Sequence, residues 1–299
     1  MQDFTYIDAS LVDGVKLSSG PNNLPMLEIE NRFCTATISI LGGQVLSYQK
    51  KDSLQPLLFC SSKAFFAEGK GIKGGAPICW PWFGDNPRWQ GAHGFARSHF
   101  WDIEAIQQDD CGVTQIDMRL PTEVIQQHSQ WPFQASVKTS IRLGKWLSIE
   151  LVTENLGEQD MPLTQALHTY FNVSDCRNVE VSGLENSSYL DKVVDFDRLP
   201  ASGDVITFNS EVDRIYDQNI GEIRIRDLGF KRTITITSEG SASAIVWNPW
   251  IEKSKQMADF GDEDYNHMIC VETANAGEDG RELKPQQSHH LRVKYSISE

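Results

Sequence analysis

The feature that most constrains this chain is an alternation of apolar and polar residues with a period of two, which sets in at Phe33 and recurs to the C-terminal end. It is clearest from Ala135 to Glu154. There Val137, Thr139, Ile141 and Leu143 alternate with polar positions, Gly144-Lys145 supplies a turn, and Leu147, Ile149 and Leu151 alternate on the return. Residues two apart share one side of a pleated strand, so this stretch predicts a half-buried hairpin. The same reading predicts strands over 33–40 and 44–48, broken by Gly42-Gly43, and over 222–226, 232–237, 244–247, 267–272 and 290–297. Helical periodicity is weak, with one short turn expected around Lys253 to Phe260.

Many short strands separated by turn residues predict an all-β chain folded as a large antiparallel β-sandwich. No linker, low-complexity tract or internal repeat interrupts the 299 residues, which reads as a single domain. Residues 1–30 are expected to pack as an N-terminal segment on a sandwich domain of 31–299. The net charge of −14 lacks the basic footprint that nucleic acid or an anionic membrane surface requires. No window approaches the roughly 20 apolar residues of a membrane helix, and the N-terminus carries no secretory signal. The six cysteines are scattered without a C-x-x-C pair and read as reduced core residues of a cytoplasmic protein.

One segment departs from the alternation. Gly71 to Arg97, GIKGGAPICWPWFGDNPRWQGAHGFAR, crowds glycines, prolines and Trp80, Trp82 and Trp89 into a stretch unsuited to regular structure. Aromatic faces suit the C–H side of a pyranose, and cations suit its hydroxyls or an attached phosphate. Lys70, Lys73, Arg88 and Arg97 cluster here in a mostly acidic chain, a local reversal of sign that an anionic small substrate would need.

Two further residues carry candidate chemistry. His168 lies within Leu163 to Phe171, which reads as a buried strand with Ala166, His168 and Tyr170 on one face. Glu272 follows Met268-Ile269-Cys270-Val271, and a carboxylate after four apolar residues is rarely buried unless paired or used. Desolvation would raise its proton affinity toward neutrality, as a general base needs. Asp213 and Arg214 are neighbours that would face opposite ways on a strand. No Cys/His cluster has zinc spacing, and no nucleophile elbow, phosphate loop or dinucleotide fingerprint is present.

Taken in order, the chain resembles the aldose 1-epimerase family, in its hexose-6-phosphate mutarotase branch. The resemblance spans about Phe33 to Ile297 and rests on Leu41-Gly42-Gly43-Gln44-Val45, Lys73-Gly74-Gly75-Ala76-Pro77 with Trp80-Pro81-Trp82-Phe83-Gly84, and His93-Gly94-Phe95-Ala96-Arg97. It continues through Ala166 to Phe171, Val212 to Tyr216, Val246 to Trp250, and Cys270-Val271-Glu272. It implies a galactose-mutarotase-like β-supersandwich, with His168 as general acid and Glu272 as general base. It also implies that Lys73, Arg97 and Asp213 contact substrate and that His93 orients the sugar, which leaves Trp80 and Trp82 to shape and support the loop and Arg88 as a peripheral cation. The implied partner is a phosphorylated hexose, with no metal, no cofactor, and a monomeric chain.

Lys73 stands where the family commonly has arginine, which keeps the charge but loses the planar fork. Ala92 stands where a polar side chain can contact substrate and offers only backbone. Three other readings remain open at this point: a mutarotase for free aldoses, a non-catalytic carbohydrate-binding domain, and a glycoside hydrolase using Asp213 and Glu272.

Overall fold

A computed structural model describes residues 12–86, 88–218 and 221–299. Of the N-terminal segment, residues 1–11 lie outside the described residues. The rest of it forms the strands Val15–Ser19 and Pro25–Glu30, which join Cys34–Ser39 and Gln44–Lys50 in a four-stranded sheet.

Two larger sheets carry the core. The first has eight strands in the order Val179–Ser182, Ile223–Asp227, Arg232–Glu239, Ser288–Ser298, Leu147–Asn155, Ala135–Leu143, Thr114–Arg119 and Asp102–Gln108. The second, also of eight, runs Asp197–Leu199, Tyr189–Asp191, Val212–Tyr216, Ser243–Asn248, Met268–Asn275, Gln165–Leu167 and Ile78–Cys79, with Tyr170–Asn172 also paired to Met268–Asn275. Every ladder pairing the named strands among the described residues is antiparallel.

The period-two stretch that opened the sequence reading is the hairpin Ala135–Leu143 and Leu147–Asn155, in which buried positions strictly alternate with exposed or half-buried ones. Its turn takes three residues, with Leu143 opposite Leu147, one more than the expected Gly144-Lys145. The buried sides of the two large sheets meet each other: Phe171 and Tyr295 pack edge to face at 5.3 Å, and the hydroxyls of Thr169 and Tyr295 are 2.6 Å apart. In contrast, all eight residues of Met268–Asn275 are buried. Ile269 and Val271 share the side that faces the first sheet, and Cys270 and Glu272 face the other way. That second side is roofed by loops, and it holds the site.

Two sequence expectations need correction. The stretch Leu163 to Phe171 is not one strand but three short ones, broken at Leu163/Thr164 and at His168-Thr169. At the second break the Thr169 N–H turns back to the Leu167 carbonyl, while His168 N–H bonds the Pro77 carbonyl at 2.9 Å. Likewise, Gly71 to Arg97 is not wholly irregular, since it contains the short strands Ile78–Cys79, Asp85–Asn86 and Trp89–Ala92. The expected helix is present slightly earlier, at Trp250–Gln256. Among the described residues no helix is long and apolar enough to cross a membrane.

The roofing loop sits so tightly on the four-stranded sheet that it needs glycine. Gly75 has φ +65°, and a Cβ there would lie 2.0 Å from the Val45 carbonyl oxygen. Gly75→Ala therefore combines backbone strain with a backbone clash, and is expected to lower stability by about 2 kcal/mol or more. Urea denaturation checks this; an unchanged midpoint would contradict the packing described.

Candidate active site

The pairing register builds the centre of the site. Gln165, Ala166 and Leu167 oppose Asn275, Ala274 and Thr273, and beyond the break Tyr170 and Phe171 oppose Cys270 and Ile269. The register is the same on both sides of the break, so His168 falls directly across from Glu272. Directly opposed side chains on one face of an antiparallel pair are in contact range. His168 Nε2 is 3.3 Å from Glu272 Oε1, with both residues buried.

Neighbouring strands extend this face. Ile245 lies beside Glu272, and Trp247 beside Cys270. Tyr170 stacks on the His168 ring at 4.9 Å and 11°, while Trp247 meets both rings edge-on. These contacts lock the imidazole plane. The face forms the floor of a cleft of about 610 Å³, within the usual range for small-molecule sites.

Burial shapes the proton affinities here. Desolvation, followed by the Arg97 charge, drives the His168 imidazole down to about 3. Desolvation, followed by the Asp213 carboxylate, holds Glu272 well above the ordinary carboxyl range, while Lys192 and Arg97 pull against it. His168 Nδ1 and Glu272 Oε2 are buried without a hydrogen-bond partner. Orphaned buried polar atoms are uncommon and mark positions where another demand overrides stability.

The remaining expected site residues converge on the same cleft. Arg97 comes from the short 3-10 turn Ala96–Ser98 and donates from Nη2 to the Ala92 carbonyl at 2.9 Å. Ala92 thus contributes its backbone, as its methyl side chain dictates. Among the described residues Arg97 has no carboxylate partner. Lys73 differs: its Nζ is 3.1 Å from Asp259 Oδ1. His93 takes a positive φ and accepts a hydrogen bond at Nδ1 from Gly84 N–H, at 3.3 Å. Burial and then the Arg97 charge keep that imidazole neutral, so its Nε2 carries the hydrogen and is a donor.

Asp213 reaches the cleft from Val212–Tyr216, and Arg214 points the other way to pair with Asp191, as strand alternation requires. Two residues the sequence reading did not single out join it. Lys192 Nζ lies 3.2 Å from Asp213 Oδ2, and Lys253 Nζ lies 3.8 Å from the same oxygen. Lys192 sits beside Asp213 because its N–H bonds the Asp213 carbonyl at 2.8 Å. Its only trace in the sequence is a cation next to Asp191 in an otherwise apolar run. Removing it would leave the buried carboxylate with only the more distant Lys253. Lys192→Met is expected to cost about 1–3 kcal/mol of stability, and Lys192→Met with Asp213→Asn to recover most of that in a double-mutant cycle.

Other parts of the Gly71 to Arg97 segment do not face a ligand. Trp80 and Trp82 are fully buried and pack with Trp89, Phe95 and Trp131 in an aromatic cluster under the loop. Arg88 is exposed, stacked over Trp89, and lies outside the cleft. Among the described residues one group has the donors and proximity to hold a metal ion, namely His168, Cys270 and Glu272.

The double-sheet β-sandwich that carries this site has the fold of the galactose mutarotase-like proteins. One such protein from Lactobacillus casei superposes with a TM-score of 0.70 at 18% identity, over 91% of this chain and all of its own. A candidate mutarotase of Salmonella typhimurium, YeaD, superposes with a TM-score of 0.88 at 27% identity, over 97% of this chain and 95% of its own. A candidate glucose-6-phosphate 1-epimerase of Cenchrus ciliaris is 38% identical over 291 residues, covering 94% of this chain and 86% of the relative. The chain belongs to the aldose 1-epimerase family, whose pattern matches residues 25–296.

Proposed function

We propose that the protein is a hexose-6-phosphate mutarotase that interconverts the α and β anomers of glucose 6-phosphate. The observation that carries this reading is Arg97, a cation with no carboxylate partner among the described residues, opening on the cleft that holds the His168–Glu272 pair. Relatives named for glucose-6-phosphate 1-epimerase activity, similar over most of the chain, support it.

Anomer exchange requires a proton to leave the anomeric hydroxyl while another reaches the ring oxygen, which opens the ring to the aldehyde. Rotation about the C1–C2 bond and reclosure deliver the other anomer. Glu272 takes the O1 proton, and His168 gives one to O5. On closure Glu272 gives its proton to O1 and His168 takes one back from the O5 hydroxyl. Substrate and product are nearly equal in energy, so the two groups must serve both directions, and a positioned acid or base is worth about 10²–10⁴-fold.

The pair holds one proton between its members. Burial disfavours charge on either, so in the empty cleft that proton rests on the carboxyl and the imidazole is neutral. The working arrangement, carboxylate and imidazolium, differs only by transfer of that proton across 3.3 Å. Arg97 and Lys192 favour the carboxylate, and the negative phosphate of the substrate favours the imidazolium. The His93 Nε2–H is placed to hold a sugar oxygen, while Lys73 and Arg97 bind the phosphate, Lys73 by sharing itself with Asp259.

A mutarotase for free aldoses would leave the Arg97 guanidinium without an anion to meet. A two-carboxylate hydrolase would need Asp213 free, and Lys192 engages it. Two-dimensional exchange NMR on anomeric mixtures of glucose 6-phosphate, glucose and galactose tests the proposal. Exchange should be fastest on the phosphosugar; equal or faster exchange on the free sugars would replace this reading with the free-aldose one.

A further inference from the structure

We propose that His168, Cys270 and Glu272 form a site for a thiophilic divalent cation of the Zn²⁺ type, and that filling it switches the catalytic pair off. Each residue offers one ligand atom, and the three atoms lie within 4.8 Å of one another. An imidazole nitrogen, a thiolate sulfur and a carboxylate oxygen are each zinc donors, and three protein ligands leave a fourth position open.

The cluster escapes a search by sequence spacing because two strands build it. Cys270 and Glu272 are two apart on Met268–Asn275 and share its cleft side, and His168 arrives from across the ladder. Zinc bonds of 2.0–2.3 Å imply donor atoms separated by about 3.3–3.7 Å. His168 Nε2 and Glu272 Oε1, at 3.3 Å, already meet this. The Cys270 sulfur, no more than 4.8 Å from the other two atoms, needs a shift of at most about 1.5 Å to reach that separation.

A second observation points to the same place. Glu272 Oε2 is buried with no protein partner, so the carboxylate has ligand capacity that the fold leaves unused. The open coordination position falls on the cleft, where water can occupy it. Binding takes Cys270 as the thiolate, its proton passing to solvent. The thiolate and the Glu272 carboxylate then balance the dication, which removes the penalty of burying either charge alone. With the imidazole lone pair and the carboxylate both bound to metal, neither can move a proton.

Co²⁺ titrated into the full-length protein is the direct probe, since a thiolate ligand gives it a charge-transfer band in the near ultraviolet. That band is expected in the wild type, displaced by Zn²⁺, and absent from Cys270→Ala. In anomer-exchange assays with buffered metal, Zn²⁺ should inhibit the wild type reversibly on adding EDTA. Cys270→Ala, with near-normal exchange in the absence of metal, should need at least about 100-fold more Zn²⁺, since loss of even outer partners of metal ligands typically costs 10–100-fold. Should the alanine variant not fold, Cys270→Ser keeps the size while replacing the soft donor. No band in the wild type, or a band or inhibition that persists without the Cys270 sulfur, overturns the site, and exchange indifferent to bound Zn²⁺ overturns the switch. The spectroscopic arm needs no substrate, so a normal band in a protein with no exchange activity supports the metal site and overturns the mutarotase reading instead.

Discussion

Glu272→Gln is expected to abolish catalysed anomer exchange on glucose 6-phosphate while making the fold more stable at neutral pH. The amide cannot accept the O1 proton, so the rate should fall by about 10²–10⁴-fold or to the uncatalysed background. The gain in stability follows from burial. Glu272 has a proton affinity raised by desolvation and by Asp213, so the native state holds a proton that the unfolded chain releases. A group raised in this way contributes its stability below its unfolded value, about pH 4.3, and loses it as pH rises through its folded value. Glutamine has no such loss.

The melting temperature of the variant should therefore match that of the wild type below about pH 4 and exceed it increasingly toward neutrality. Glutamine keeps the shape and can still bond His168 Nε2, so no cavity confuses the comparison. Calorimetry across pH and exchange NMR give the two readouts. A near-normal exchange rate would remove Glu272 from the mechanism, and a stability difference independent of pH would mean that its charge is not the buried cost.

Arg97→Ala is expected to lower kcat/KM on glucose 6-phosphate by about 10–100-fold, the loss of a charge-assisted contact worth roughly 1.5–3 kcal/mol. Slow turnover of free glucose should fall far less, since there Arg97 acts only through its charge on the acid–base pair. This selectivity arises because Arg97 spends no charge on any carboxylate of the described residues, so a phosphate is its first ionic partner. Arg97→Lys should recover part of the loss, since lysine keeps the charge without the two-pronged geometry. Equal losses on both substrates would place Arg97 in holding the cleft together through Ala92.

The strands were largely legible in the sequence, and for a physical reason. A half-buried strand must alternate, as Ala135 to Glu154 does, and no helical pattern competes with it. His168 and Glu272 were legible as unusual polar residues in apolar company, although their facing positions were not, because pairing register is a property of two distant segments. The break at His168 was hidden for the same reason: its cause is the Pro77 carbonyl, which lies 91 positions earlier in the chain. Lys192 left only a faint trace, since nothing around it resembles a motif and its position comes from pairing with the Asp213 backbone. The tryptophans were legible only in context. Trp80 and Trp82 look like sugar platforms by composition, but beside His168 and Glu272 they read as supports of the loop, and they are: a roof made of glycine turns needs large side chains beneath it, and these fill that space.

The acid–base pair and the cations around it are built from different material. Glu272 stands on a hydrogen-bonded strand and His168 between two short strands that keep one register against it, whereas Lys73, Arg97, Lys192 and Lys253 come from loops, a 3-10 turn and a short helix. Sequence drift can therefore rewrite which sugar is admitted without disturbing how a proton is moved. A lineage carrying this scaffold can change its diet one loop at a time and remain a working catalyst at each step.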